Sequence, residues 1–168
     1  QYVHDFFPED TKATIGAAFA TKDVTVRTRK GEGRIRCQLW DTSGQERYRA
    51  ITRGFFRNAV GAVLVFDVTN AKSLEAIEYW RTQIAAECPT ASLVLVGNKC
   101  DLVERRQVKT SEAKEFAAAT APGTTVPYVE TSARTGTGVS LVFEAIAQMI
   151  VNQSQGLAER IPAMPTTL

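Results

Sequence analysis

The chain has 168 residues, 44% of them apolar, which is enough for one well-built core and fits a single domain. Twenty Lys and Arg stand against 18 Asp and Glu, so the net charge of +2 makes no electrostatic case for nucleic acid. There is no basic block to read as a membrane patch, no apolar run near the ~18 residues of a membrane span, and no charged-then-apolar leader. Cys37, Cys88 and Cys100 lie scattered in or beside apolar runs without metal-ligand spacing, as reduced thiols of a cytosolic protein would.

The opening QYVHDFFPEDTKAT carries turn formers and no clean period. Residues 17–28 alternate in part, with Phe19 and Thr21 in one phase and Val24 and Val26 in the other, which predicts a strand with a bulge. RKGEG (29–33) is a turn signal, and RIRCQLW (34–40) alternates again with Ile35, Cys37 and Leu39 on one face. Two alternating runs around such a turn predict a hairpin. GAVLVFD (61–67) and SLVLVGN (92–98) are continuous apolar runs, the pattern of strands buried on both faces of a parallel sheet. Between them, Leu74, Ile77, Trp80, Arg81 and Ile84 recur at helical spacing over 71–87. A helical segment near 110–120 precedes a third short run, VPYVET (126–131). A last helix is expected over 138–152 with Leu141, Phe143, Ile146 and Ile150 as its apolar set. The tail 153–168 is polar with two prolines and is expected to be unstructured. Alternating strands and helices from 61 onward predict an α/β sheet covered by helices. Ligands of such folds sit beyond the carboxyl ends of the strands.

Polar clusters follow three of the predicted strands: DTSGQE (41–46), NKCD (98–101) and TSA (131–133). Asp41 at a strand end can reach a hydrated cation, and Gly44 lets a backbone N–H approach a ligand. Gln45 is a neutral donor and acceptor suited to orienting a water. Asp101 can accept two hydrogen bonds from a ring N–H and an amino group. Asn98 can brace its loop, and the Lys99 stem can lie over a flat ring. Each piece alone is an ordinary turn or polar connection; the order, each after its own strand, makes them informative together.

D-x-x-G-Q, N-K-x-D and T-S-A in this order resemble the guanine-nucleotide motifs of the Ras-like small GTPases. IGAAF (15–19) and LWDTSGQERYRAITRGFFRNAVGAVLVFDVT (39–69) resemble the Rab branch of that family, and the resemblance covers roughly residues 1–152. The FAT after IGAA and the RYRAIT run are most similar to the branch serving recycling endosomes and late Golgi. The resemblance implies a Ras-like α/β fold, a mostly parallel sheet with helices on both faces. It implies a molecular switch that binds GTP or GDP with Mg²⁺ and hydrolyses GTP in vesicle-mediated membrane transport.

Carried over position by position, Thr14 and Asp41 match the Mg²⁺ ligands, Gly44 the amide at the γ-phosphate, and Gln45 the residue that orients the attacking water. Phe7 matches the aromatic at the guanine edge, with a hydrophobic loop anchor as its alternative. Asn98, Lys99 and Asp101 match the base-reading loop, and Thr131, Ser132 and Ala133 the loop that closes it. Phe19, Trp40 and Phe55 match the aromatic triad used by Rab effectors, with plain core packing as the alternative. The same resemblance implies an exchange factor and a GTPase-activating protein on the switch surface. It also implies a cytoplasmic protein that cycles onto endosomal or Golgi membranes by a C-terminal lipid.

Three departures stand out. Ser43 occupies a position where the family usually has Ala. The last cysteine is Cys100, so these residues hold no terminal lipidation site. Nothing matches G-x-x-x-x-G-K-[ST], whose backbone amides and lysine hold the phosphates. The first strand, that loop and most of the first helix are therefore expected to be missing from the domain spanned by 1–152. Loss of a central strand would leave its neighbours with open edges. Upstream residues outside these 168, a loop supplied by a second chain, or a degenerate GTPase serving as a nucleotide-free interaction module would each account for it. Intact Thr14 and Gln45 weigh against the last.

Overall fold

The computed structural model describes residues 2–3, 14, 17–44, 54–120 and 126–156. Strands β1 (Ala17–Thr28) and β2 (Gly31–Thr42) form an antiparallel hairpin. The register runs without interruption from Ala17 opposite Thr42 to Thr28 opposite Gly31, so the expected bulge is absent. The phase change has another cause. Val24 and Val26 point into the core, whereas Phe19 lies on the opposite face, beside its register partner Trp40. The turn is tighter than RKGEG suggested: Gly31, at φ +113°, already begins β2.

A second sheet holds β3 (Gly61–Asp67), β4 (Ser92–Asn98) and β5 (Tyr128–Glu130), parallel and in the order β3-β4-β5. β4, in the middle, is buried from Val94 to Gly97, as its continuous apolar run predicts. β3 is an edge strand, and its Val65 is 54% exposed, so burial on both faces fails there. Among the described residues, β2 and β3 each pair on one side only.

Helices cover both faces of the parallel sheet. On one face lie α1 (Ala71–Glu75), α2 (Ile77–Glu87) and α3 (Thr110–Thr120). Leu74, Ile77, Ile84, Ala113 and Ala117 pack there on Leu64, Phe66 and Leu95. The single helix read over 71–87 is interrupted at Ala76, and Arg81 in its supposed apolar stripe pairs with Glu78 instead. On the other face, α4 (Val139–Ser154) sets Val142, Ile146 and Met149 against Val94, Val96 and Val129. All three cysteines are free thiols. No helix among the described residues is long and apolar enough to cross a membrane.

The two sheets are joined through α4. Its Ala147 and Val151 pack on Val24 and Val26 of the hairpin, beside Tyr2, Ile35 and Cys37. Its Gln148 carboxamide accepts from the Arg27 amide at 2.8 Å and donates to the Arg27 carbonyl at 2.9 Å, as a neighbouring strand would. Gly61 lets the helix come close to β3: a Cβ there would stand 2.9 Å from the side chains of both Ile146 and Ile150.

The residue before α4, Gly138, has φ +69°, and a Cβ on it would overlap the carbonyl oxygen of Glu130 at the end of β5. Backbone cannot swing away as a flexible side chain can. Gly138→Ala is therefore expected to cost about 2–4 kcal/mol in denaturant unfolding. A loss under 1 kcal/mol would show that the loop between β5 and α4 has room to adapt.

Candidate functional site

Parallel pairing aligns the carboxyl ends of β3, β4 and β5, with Asp67 opposite Asn98 and Gly97 opposite Glu130. The loops leaving β4 and β5 begin side by side for that reason, and backbone bonds continue the ladder into them. The Thr131 amide donates to the Gly97 carbonyl at 2.8 Å, and the Cys100 amide to the Thr131 carbonyl at 3.0 Å.

Asn98 fastens the two loops with its side chain. Its carboxamide oxygen accepts from the Ala133 amide at 3.0 Å and from the Thr131 hydroxyl at 3.2 Å. The bracing expected of Asn98 is thus directed at the neighbouring loop. Thr131 and Ser132 are buried. The Ser132 hydroxyl accepts from the Thr135 amide at 3.1 Å, and its own amide donates to Thr137 at 2.9 Å. The loop 131–137 is therefore held from inside as well as from β4, leaving Ala133 half-buried at its turn.

Lys99 takes the left-handed conformation, φ +67°, unusual for a residue with a Cβ. Its ammonium meets the Asp67 carboxylate at 2.6 Å. Asp67 also accepts from the Thr69 amide at 2.8 Å and the Thr69 hydroxyl at 2.7 Å. Burial raises the Asp67 pKa, but Lys99 and Thr69 together outweigh it and hold the carboxyl below its ordinary value. Lys99 is thereby directed along the ends of the strands. Asp101 follows half-buried in the turn closed by the Leu102 amide on the Lys99 carbonyl, 3.0 Å.

A further cluster stands behind these loops. Arg106 grips Glu130 with both arms, Nη1 to Oε1 at 2.9 Å and Nη2 to Oε2 at 2.8 Å. Thr110 donates to the same carboxylate at 2.7 Å, and the Tyr128 phenol donates to it at 2.9 Å. Burial raises the Glu130 pKa; the hydrogen bonds from Arg106, Thr110 and Tyr128 reverse this and leave it lowered. The Tyr128 phenol is pushed well up, by burial first and by Glu130 second. Sequence reasoning missed Asp67, Arg106, Tyr128 and Glu130. The available signal was register: Asp67 and Glu130 end parallel strands just as Asn98 does.

The remaining sequence candidates fall into three groups. Phe7 and Gln45 lie outside the described residues. Thr14 is half-buried, while Asp41 and Gly44 are exposed at the end of β2, on the hairpin rather than the parallel sheet. No group of three or more His, Cys, Asp or Glu able to hold a metal ion occurs among the described residues. Thr14 and Asp41 offer two hard oxygen donors, which fits Mg²⁺, an ion that keeps waters and takes phosphate oxygens for its other ligands. Phe19, Trp40 and Phe55 come together as one patch. Phe19 and Trp40 rings lie 4.9 Å apart, and Trp40 and Phe55 rings 5.4 Å apart. Phe19 is 52% and Trp40 50% exposed, so for these two the core-packing alternative is excluded.

The lowered Glu130 pKa carries a sign. A carboxyl depressed on folding stabilises the fold above its unfolded value, ordinarily about 4.5, and that contribution is lost as pH falls through the lower folded value. Glu130→Gln should cost about 1–3 kcal/mol at pH 7. It should also flatten the fall in stability between neutral pH and pH ~3. Urea unfolding across that range reads both effects; a variant whose acid limb parallels the parent's would contradict the assignment.

The Ras family model matches residues 1–152. The chain is 38% identical to Ras-related protein Rab-27A of Rattus norvegicus over 168 residues, covering 95% of the chain and 74% of that protein. It is 38% identical over 153 residues to Ras-related protein RABA4a of Arabidopsis thaliana, covering 90% of the chain and 64% of the relative. It is 39% identical over 151 residues to Ras-related protein Rab-25 of Bos taurus, covering 89% and 67%. The chain thus spans about two thirds to three quarters of the length of these relatives. The match takes in the β4 and β5 loops, the end of β2 and the aromatic patch alike, and the chain belongs to the Rab-type branch of the Ras family of small GTPases.

Proposed function

We propose that this protein is a guanine-nucleotide switch of Rab type, binding GTP and GDP with Mg²⁺, hydrolysing GTP, and regulating vesicle-mediated membrane transport. The observation that carries this reading is the joint built by Asn98. It holds a loop bearing a half-buried carboxylate, Asp101, next to a loop whose Ala133 sits at a fixed turn.

A guanine ring suits that pair of loops. The Asp101 carboxylate would accept from the ring N–H and the exocyclic amine, a two-point contact that adenine cannot return. The Lys99 stem would cover one face of the ring, with its ammonium held at Asp67. Ser132 and Ala133 would close the edge. Phe7 would lie against the base, and residues 1–152 would form the domain.

At the other end of the nucleotide, Thr14 and Asp41 would hold Mg²⁺ and Gly44 would offer its amide to the γ-phosphate. The ion, when bound, neutralises charge on the phosphate oxygens. Gln45 would orient the attacking water. Phosphoryl transfer is mostly positioning and charge stabilisation, so the chain's part is to place these groups.

Phe19, Trp40 and Phe55 would form the surface on which effectors and regulators dock. Half-exposed aromatic rings in mutual contact offer large apolar area at low entropic cost. The C-terminal lipid of the family would bring the switch to the cytosolic face of endosomal or Golgi membranes.

Base discrimination tests the nucleotide assignment. The protein should prefer GDP to ADP, and Asp101→Asn should reduce that preference by about a hundredfold or more. Equal affinity for the two nucleotides in calorimetry would refute it. For the docking surface, Phe55→Ala should weaken a partner that recognises the GTP-loaded protein by about 1–3 kcal/mol with nucleotide affinity unchanged. Parallel losses of folding stability and partner affinity would instead mark Phe55 as packing.

A further inference from the structure

The loop leaving β4 is long. It carries Asp101, makes one 3-10 turn at Val103–Arg105, and returns to the sheet where the Gln107 and Val108 amides donate to the Val68 carbonyl at 2.9 and 3.0 Å. Its outgoing limb is tied to β5 by Asn98, and its returning limb by Arg106. Arg106 reaches Glu130, the residue immediately before Thr131, Ser132 and Ala133. Its Nη1 also donates to the Val108 carbonyl at 3.1 Å, which fixes the guanidinium plane. The pair is largely sheltered, with side chains 23% and 21% exposed.

The neighbouring residues make room for this joint. A Cβ on Gly97 would stand 2.5 Å from the Tyr128 hydroxyl, so the bare backbone of β4 is what lets that phenol reach Glu130. Thr110, at the start of α3, supplies a further donor. One carboxylate thus collects donors from the returning limb, from α3 and from β5. The β4–β5 ladder does not need it: three register pairs and the Thr131–Gly97 bond already join the strands. What the cluster adds is a set separation between the returning limb of one loop and the root of the other.

We propose that Arg106 and Glu130 are positioning residues for the nucleotide site: their two-armed pair fixes the spacing of the loops at 98–101 and 131–133, and so sets guanine selectivity and nucleotide residence. This rests on the base-site reading above. Neither side chain touches the base. A planar fork against a carboxylate fixes both distance and angle, which a lysine cannot do. The lost geometry therefore falls on Asp101 and Ala133 together, and a two-point contact with the base is sensitive to small displacements.

The test follows release of fluorescent GDP and competition by GDP, IDP and ADP in the parent protein and in Arg106→Gln, Arg106→Lys, Asp101→Asn and Ile84→Val. IDP lacks the exocyclic amine that Asp101 would read. Ile84→Val trims the core under α2, away from the loops, and controls for lost stability. Arg106→Gln should speed GDP release between about tenfold and a hundredfold and narrow the gap between GDP and IDP. Arg106→Lys, with the charge but not the fork, should fall between it and the parent. Ile84→Val should change neither readout. If Asp101→Asn abolishes the GDP preference while Arg106→Gln behaves like Ile84→Val, the positioning role is overturned and the base site stands. If the parent itself does not prefer GDP to ADP, the base site and this inference fall together.

Discussion

Asn98 ends the middle strand of a parallel sheet, and its carboxamide oxygen collects two donors from the loop of the next strand. Much else follows from that joint. It requires β4 and β5 to end side by side, which parallel pairing supplies. It requires β4 to be immobile, which burial from Val94 to Gly97 supplies. An amide suits the position, because its oxygen accepts both donors without burying a charge. The charged groups stand to either side, each already paired: Asp67 with Lys99, and Glu130 with Arg106. The result is a row of strand ends whose side chains position one another.

The hairpin depends on a different contact. Among the described residues no strand ladder joins β1–β2 to β3–β5, and α4 does that work with two of its faces. Its central turns pack on the parallel sheet while Ala147 and Val151 serve the hairpin, and Gln148 completes the hairpin's outer edge. Gly61 sets how closely the helix can approach. One helix thereby holds the hairpin, which carries Asp41 near the end of β2, to the parallel sheet. The aromatic patch lies on the face of the hairpin away from this helix, where Phe19 and Trp40 remain half-exposed.

Much of this was legible in the sequence. GAVLVFD and SLVLVGN became strands with the predicted bounds, because an uninterrupted β-branched run has few other ways to be buried. The last helix was placed to within two residues at its end, Val139–Ser154 against 138–152. The phase change between Phe19 and Val24 predicts a bulge in β1 only if both side chains share a face; Phe19 faces solvent beside Trp40, so the strand needs no extra residue. VPYVET yielded only Tyr128–Glu130 as strand, since β5 is an edge with three register pairs. The Arg106–Glu130 pair was out of reach: its residues are far apart in sequence and carry no periodic signal, and only the folded loop brings them within 3 Å.

The account stands on the two loops acting as one base-reading unit. Amide hydrogen exchange at Cys100 and Ala133 tests that most directly, since the first donates to Thr131 and the second to Asn98 across the joint. With GDP added, both amides should gain protection together and at the same nucleotide concentration, and ADP should protect neither. Protection confined to one loop, or equal protection by ADP, would contradict the account.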